Sequence, residues 1–320
     1  MNIKELRNLL IRELLLSREV FLVAHNNIDL DAFASMVGFS LIAKKYKNKV
    51  YVIIDDKEIE PATSLAMEKM SQKITIINSK QVKDYITKRS ILFVLDANTL
   101  SRICVKDMIS DFKAVTVIDH HNKTTDTIPN ANLYIDEKAT SASEIVTSLL
   151  NKLRVKVPKS YATTLLGGIV LDTNNFTYKM TRKSFYYCYF LSVKGADVEE
   201  AQLYFKQDLE EYVNRSKMIA STQIIGEIAI ATGQKGKIYK SQELAKVADL
   251  LLEFKGIKTS FAIGYLNKDQ VGISTRSVKR INAGKLMEQF GGGGSKMEAA
   301  AIIENTNIKK VEEELKSKII

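Results

Sequence analysis

Cysteine and histidine are both scarce in this 320-residue chain, and long apolar runs are missing. The two cysteines, Cys104 and Cys188, stand far apart with no metal-binding spacing; this excludes a disulfide framework and agrees with a reduced, cytoplasmic setting. No apolar stretch approaches the roughly 18 to 20 residues of a membrane span. Lys4, Glu5, Arg7, Arg12 and Glu13 interrupt the N-terminal leucines, so Met1 to Glu19 reads as an amphipathic helix and not as a signal peptide. The only histidines are His25, His120 and His121, in His25-x-x-x-Asp29-x-Asp31 and Asp119-His120-His121. Imidazole nitrogen and carboxylate oxygen are usual ligands of divalent transition metals, so a chain with histidine nowhere else is using it for chemistry.

With 45% hydrophobic and 26% charged residues, the remaining composition is that of a compact soluble protein, long enough for two domains. A formal net charge of +10 favours anionic partners such as nucleotides, although lysines scattered over solvated faces would give the same sum.

Val20 to Ala24, Val50 to Ile54, Ile74 to Ile77, Ile91 to Leu95 and Val115 to Ile118 are short apolar runs, separated by helically spaced segments such as Asp31 to Lys45 and Pro61 to Met70. This alternation predicts βαβ units and a mostly parallel, five-stranded sheet flanked by helices. His25, Asp96 and Asp119-His120-His121 then fall at three strand ends, the rim where ligands collect in open α/β sheets. A fourth contribution is Asp172, which ends an apolar stretch in Leu165 to Asn175. Clustered carboxylates repel and lose solvation unless cations neutralise them, and a two-metal centre sharing one carboxylate resolves this. The simpler local alternative is that Asp29 or Asp31 caps the helix starting near Ala32 and that Asp136 is turn chemistry.

Further on, Gly195 to Thr222 has helical character and reads as a connection. Beyond it, Ile224 to Ala231, Gly236 to Tyr239, Phe261 to Tyr265 and Val271 to Ser274 look like strands; Ala245 to Phe254, Ala283 to Phe290 and Val311 to Lys318 look like helices. Gly291, Gly292, Gly293 and Gly294 are consecutive and precede Ser295. If Ser295 to Glu304 opens a helix, these amides would cradle a phosphate; alone, a glycine run is more often a linker.

His25-Asn-Asn-Ile-Asp29-Leu-Asp31, Asp96, Asp119-His120-His121 and Asp172 resemble the ordered motifs of the DHH phosphoesterase superfamily. Gly272-Ile-Ser-Thr-Arg276-Ser, Ile281-Asn282 and Gly291 to Gly294 resemble its DHHA1 substrate-binding domain. Within the superfamily the chain is similar to stand-alone, GdpP-type cyclic-di-AMP phosphodiesterases, through Leu30, Gly168-Ile-Val-Leu-Asp172-Thr-Asn-Asn-Phe176, Lys194-Gly-Ala-Asp197 and Gln207-Asp-Leu-Glu-Glu-Tyr212.

The resemblance implies a DHH catalytic domain over residues 1–194, a helical connector over 195–223 and a smaller α/β DHHA1 domain over 224–320. It implies two manganese ions, one held by His25, Asp29 and Asp96 and the other by Asp31, Asp96, His120 and Asp172. Asp119 would orient a ligating histidine, His121 would face the scissile phosphate, and Arg276, Asn282, the four glycines and Ser295 would bind substrate. Where the family usually has histidine this chain has Ser295, which bears on substrate preference more than on metal chemistry. The implied reaction is two-metal hydrolysis of cyclic di-AMP to pApA or onward to AMP, by a cytoplasmic enzyme that could form a homodimer. The alternative is an NrnA-type nanoRNA exonuclease or pAp phosphatase, against which Leu30 counts; a non-enzymatic nucleotide sensor would predict damaged metal ligands.

Overall fold

The computed structural model describes all residues except 57, 58, 207, 235, 279, 280 and 320. Gln207, which opens one of the resemblance motifs, therefore lies outside the described residues. The chain divides into two compact units, Met1–Lys206 and Gln207–Ile320.

The first unit begins with α1 (Ile3–Leu16), capped by Asn2 and burying Leu6, Leu10 and Leu14 along one stripe. There follow β1 (Glu19–Val23), α2 (Leu30–Lys45), β2 (Lys49–Ile53), α3 (Pro61–Met70), β3 (Thr75–Ile77), α4 (Val82–Tyr85), β4 (Ile91–Leu95), β5 (Ala114–Asp119) and β6 (Asn132–Ile135). Helices α5 (Ala142–Lys152), α6 (Lys159–Asp172), α7 (Arg182–Val193) and α8 (Val198–Leu203) complete it. The sheet runs β3-β2-β1-β4-β5-β6 and every described pairing in it is parallel. Strand order reverses between β1 and β4, so the chain leaves the sheet in opposite directions there and opens a crevice at their carboxyl ends. The sixth strand was not expected from the sequence: Asn132–Ile135 is a short edge strand with only Tyr134 fully buried, so it lacks a continuous apolar run. Helix α2 is buried almost all round, which is why its sequence is apolar on every face.

The second unit comprises α9 (Leu209–Ala220), β7 (Gln223–Ile225), β8 (Ile228–Thr232), α10 (Ser241–Leu252), β9 (Thr259–Tyr265), β10 (Gln270–Ser277), α11 (Ala283–Glu288), β11 (Gly293–Gly294), β12 (Glu298–Glu304) and α12 (Ile308–Ile319). Its sheet runs β11-β12-β10-β9-β8-β7. The single strand expected over Ile224 to Ala231 is a hairpin, turned at Gly226 with φ of 59°. Gly236 to Tyr239 contributes only a bridge from Ile238 to Tyr265. After the glycines comes strand β12 and not a helix: Ala299 and Ala301 are buried while Glu298, Ala300 and Ile302 are exposed, a period of two. The expected connector is shared, with α8 packing on α6 in the first unit and α9 on α10 in the second. No helix among the described residues is long and apolar enough to cross a membrane.

Candidate metal centre

The crevice between β1 and β4 collects the predicted donors. His25 follows β1 and points its Nε2 at Asp29 Oδ2 (3.7 Å) and Asp96 Oδ2 (3.5 Å). Its Nδ1 donates to the Asn26 carbonyl at 2.9 Å, which leaves Nε2 available to ligate a metal. Asp29 is the N-cap of α2, accepting the Ala32 amide on Oδ1 at 2.9 Å, so capping leaves Oδ2 available on the side of His25.

In the first turn of α2, Asp31 is wholly buried and accepts the amides of Ala142 (2.7 Å) and Ser143 (2.9 Å) at the N-terminus of α5. Gly168 on α6 makes this approach geometrically available: a Cβ there would meet the Ser143 hydroxyl and lie 2.9 Å from Asp31 Oδ1. Burial pushes the Asp31 carboxyl well above its ordinary range, and the charges of Asp172 and Asp96 add to this while His120 opposes it. The two amides and the helix dipole of α5 also favour the ionised form.

Asp96 follows β4 with φ of 56°, a left-handed conformation that is costly for a residue with a Cβ. That turn sets its carboxylate between two imidazoles, with Oδ2 toward His25 and Oδ1 3.2 Å from His120 Nε2. His120 Nε2 is also 3.2 Å from Oδ2 of Asp172, the last residue of α6. Burial alone would lower the pKa of both histidines, but for His25 the hydrogen bonds and charges of Asp29 and Asp96 outweigh it. For His120 those of Asp172 and Asp96 do the same, and both rings are pushed up to about 11. Burial would raise Asp96, yet His120 and His25 hold it below the usual carboxylate range.

Among the described residues, three donor groups, His25·Asp29·Asp96, Asp31·His120·Asp172 and Asp96·Asp119·His120·His121, each place one ligand atom per residue within 4.8 Å of the others. Asp96 Oδ1 and His120 Nε2 are buried 3.2 Å apart, and neither makes a well-directed hydrogen bond, an arrangement that a cation would satisfy. This mixed nitrogen and oxygen donor set fits a divalent transition metal.

Asp119 was expected to hold a ligating histidine. Its Oδ1 instead accepts Nδ1 of the half-exposed His121 at 2.9 Å and the backbone amide of His120 at 2.8 Å. Its Oδ2 accepts the buried amide of Asn98 at 2.6 Å, and Asn98 also donates to the carbonyls of His121 and Asn122. Sequence reasoning missed Asn98, two residues beyond Asp96, and Asp56, whose carboxylate takes the amides of Asn27 (2.9 Å) and Ile28 (2.8 Å) and pins the loop carrying His25 and Asp29. Asp56 carried a readable signal, being another carboxylate just past a strand end.

Apart from His121, the candidate substrate residues belong to the second unit and have local partners. Arg276 forms a two-pronged pair with Asp249, Nε to Oδ1 at 2.6 Å and Nη2 to Oδ2 at 3.3 Å, and Nη1 reaches Ser274 and Thr275. Asn282 caps α11 through the Lys285 amide. Gly291 has φ of 73° and Gly294 of 149°. A Cβ on Gly292 would collide with the Ala300 carbonyl and one on Gly294 with that of Glu298, so these glycines allow β11 to lie close against β12. Ser295 closes that turn, its hydroxyl accepting the amides of Met297 and Glu298 at 3.1 Å each. The first turn of α11 lies against the glycine–serine turn, with the Gly284 amide donating to the Ser295 carbonyl at 2.7 Å.

Residues 19–169 match the DHH family, N-terminal domain, and residues 208–320 match the DHHA1 domain. The chain belongs to the DHH/DHHA1 superfamily of phosphoesterases. It is 30% identical over 311 residues to a cyclic-di-AMP phosphodiesterase of Listeria monocytogenes, covering 95% of this chain and 47% of that protein. It therefore spans about half the length of that relative. It is 24% identical to the bifunctional oligoribonuclease and PAP phosphatase of Mycoplasma genitalium, over 90% of this chain and 89% of the other. An exopolyphosphatase-related protein of Bacteroides fragilis shares the fold, with a TM-score of 0.80 at 19% identity over 98% of this chain and 96% of that one.

Proposed function

We propose that the chain is a manganese-dependent phosphodiesterase acting in the cytoplasm that hydrolyses cyclic di-AMP to pApA. The observation that carries this reading is that Asp96, a member of the His25 donor group, also lies 3.2 Å from His120 of the Asp31·His120·Asp172 group. The Listeria relative supports the substrate. His25, Asp29 and Asp96 would hold one ion and Asp31, Asp96, His120 and Asp172 the other. When bound, two such ions supply Lewis-acid polarisation of a phosphoryl oxygen and a lowered pKa for water.

The chain's own groups set up the rest. Asp119 accepts a hydrogen bond from His121 Nδ1, which holds the ring and leaves Nε2 as the atom that would hydrogen-bond a phosphate oxygen or hand a proton to the departing ribose oxygen. Asn98 keeps Asp119 in place. In the second unit, a substrate phosphate would compete with Asp249 for Arg276, while Asn282, the four glycines and Ser295 line the same segment.

Turnover of cyclic di-AMP, pApA and pAp by the purified chain with Mn²⁺ tests this, with pApA expected first from cyclic di-AMP. Dominant hydrolysis of pAp would replace the proposal by the oligoribonuclease and phosphatase reading, which the near full-length match to the Mycoplasma relative favours. Ser295→His should alter KM for the nucleotide more than kcat, and unchanged kinetics on all three substrates would remove Ser295 from the binding site.

A further inference from the structure

The outward face of α7 is aromatic. Phe185 (60% exposed), Tyr186 (52%), Tyr189 (66%) and Val193 (63%) project from the side opposite buried Ser184 and Leu191, and exposed Arg182 shares their face. Tyr178, also exposed, stands just before the helix with the Lys179 ammonium 5.2 Å from its ring centroid. Burying such rings in a monomer's own core would be the ordinary outcome, so their common exposure needs an occupant.

Charge chooses among the occupants. From Thr173 to Ala196 the sequence carries Lys179, Arg182, Lys183 and Lys194 and neither aspartate nor glutamate. A second copy packed face to face would oppose these cations with their own images. An anionic bilayer suits the charge, but the face offers two tyrosines with fixed or wet hydroxyls, Tyr186 being hydrogen-bonded by Asn151 at 3.1 Å, where an inserting helix presents a continuous apolar stripe. Flat rings interleaved with cations match a polyanion that also carries π-faces, which is single-stranded nucleic acid.

The face follows the candidate ligand Asp172 closely along the chain. Asp172 ends α6, and the loop beyond it folds back on that helix end, with the Tyr178 amide donating to the Thr173 carbonyl at 2.8 Å. The 12 residues of α7 then extend roughly 18 Å at about 1.5 Å each, room for about three nucleotides. We propose that Tyr178 and the α7 face of Arg182, Phe185, Tyr186 and Tyr189 form a stacking surface for single-stranded oligonucleotides, holding the part of the strand that lies outside the metal centre. Only the reason for a strand to be held there rests on the phosphodiesterase reading; the binding itself does not.

The test is fluorescence anisotropy with a 5′-labelled heptameric oligoadenylate, in EDTA so that no cleavage occurs. The unmodified chain should bind with an affinity that falls as salt rises, and Tyr186→Ser/Tyr189→Ser should bind at least about tenfold more weakly while turning over cyclic di-AMP as before. Arg182→Gln should flatten the salt dependence. Equal affinity of the double variant would overturn the proposal, as would a drop in oligomeric mass on light scattering, which would assign the face to a second copy. Stronger binding of the unmodified chain to phosphatidylglycerol vesicles than to the heptamer would also overturn it. If the chain cleaved no phosphodiester yet the double variant lost binding, the phosphodiesterase reading would fail and the stacking surface would stand.

Discussion

At Asp96 a left-handed backbone and a doubly shared carboxylate coincide, and the two properties separate by substitution. Asparagine tolerates φ above zero better than alanine, for which the conformation costs about 1–2 kcal/mol. Asp96→Asn should therefore fold and yet lose Mn²⁺-dependent turnover by about a thousandfold, through loss of a negatively charged ligand. A well-folded Asp96→Asn with a tenth of normal activity would remove the bridging role. Asp56 acts at one remove, through the amides of Asn27 and Ile28. Asp56→Ala should leave the circular dichroism unchanged while weakening Mn²⁺ binding by about 10- to 100-fold in calorimetry. Undiminished affinity would reduce it to an ordinary loop contact.

Elements bring donors together that the chain keeps far apart. Asp31 and Asp172 lie on α2 and α6, and these helices approach closely because Gly38 faces Leu165 and Gly168 faces Ser143 and Asp31. A methyl group at 168 must displace the Ser143 hydroxyl, Asp31 or the helix itself. Gly168→Ala should cost about 1–3 kcal/mol in denaturant unfolding and weaken Mn²⁺ binding. Adding Ser143→Ala should restore part of both, since it removes the hydroxyl the new methyl would meet. If the pair were as impaired as the single variant, the crowding would lie elsewhere.

Across the whole molecule, all six candidate ligands fall within residues 1–206, so metal should stabilise that unit and leave the second unaffected. Hydrogen exchange with and without Mn²⁺ should show slowed exchange confined to the first unit; protection spread equally over both would contradict this. The pH dependence has a definite sign. His25 and His120 have pKa values raised from 6.5 to about 11 in the metal-free fold. Their contribution to stability is thus full below pH 6.5 and lost as pH climbs toward 11. The raised carboxyls of Asp31 and Asp172 act in the same direction, and the lowered Asp96 in the opposite one, with its contribution lost only in acid. Metal requires neutral imidazole, so binding releases protons. The Tm of EDTA-treated protein should fall between pH 6.5 and 10 while the increment given by Mn²⁺ grows. His120→Gln should flatten both trends.

The sequence by itself determined the alternation of strands and helices in the first unit, because parallel strands buried on both faces must be written as apolar runs. It also put forward the six candidate donors, through motifs that resemble a known family, and the fold brings their side chains together. It did not reveal β6, whose edge position needs little apolar residue, nor β12, whose alanines suit a helix and a strand alike. Only the tertiary structure decided that Asp119 serves His121, that Asn98 and Asp56 hold the two ligand loops, and that Arg276, Asn282 and Ser295 each have local bonds to make. Hydrogen-bond partners separated by some 20 to 110 residues, as Asn98 is from Asp119 and Asp31 from Ala142, follow from packing and leave no periodicity along the chain.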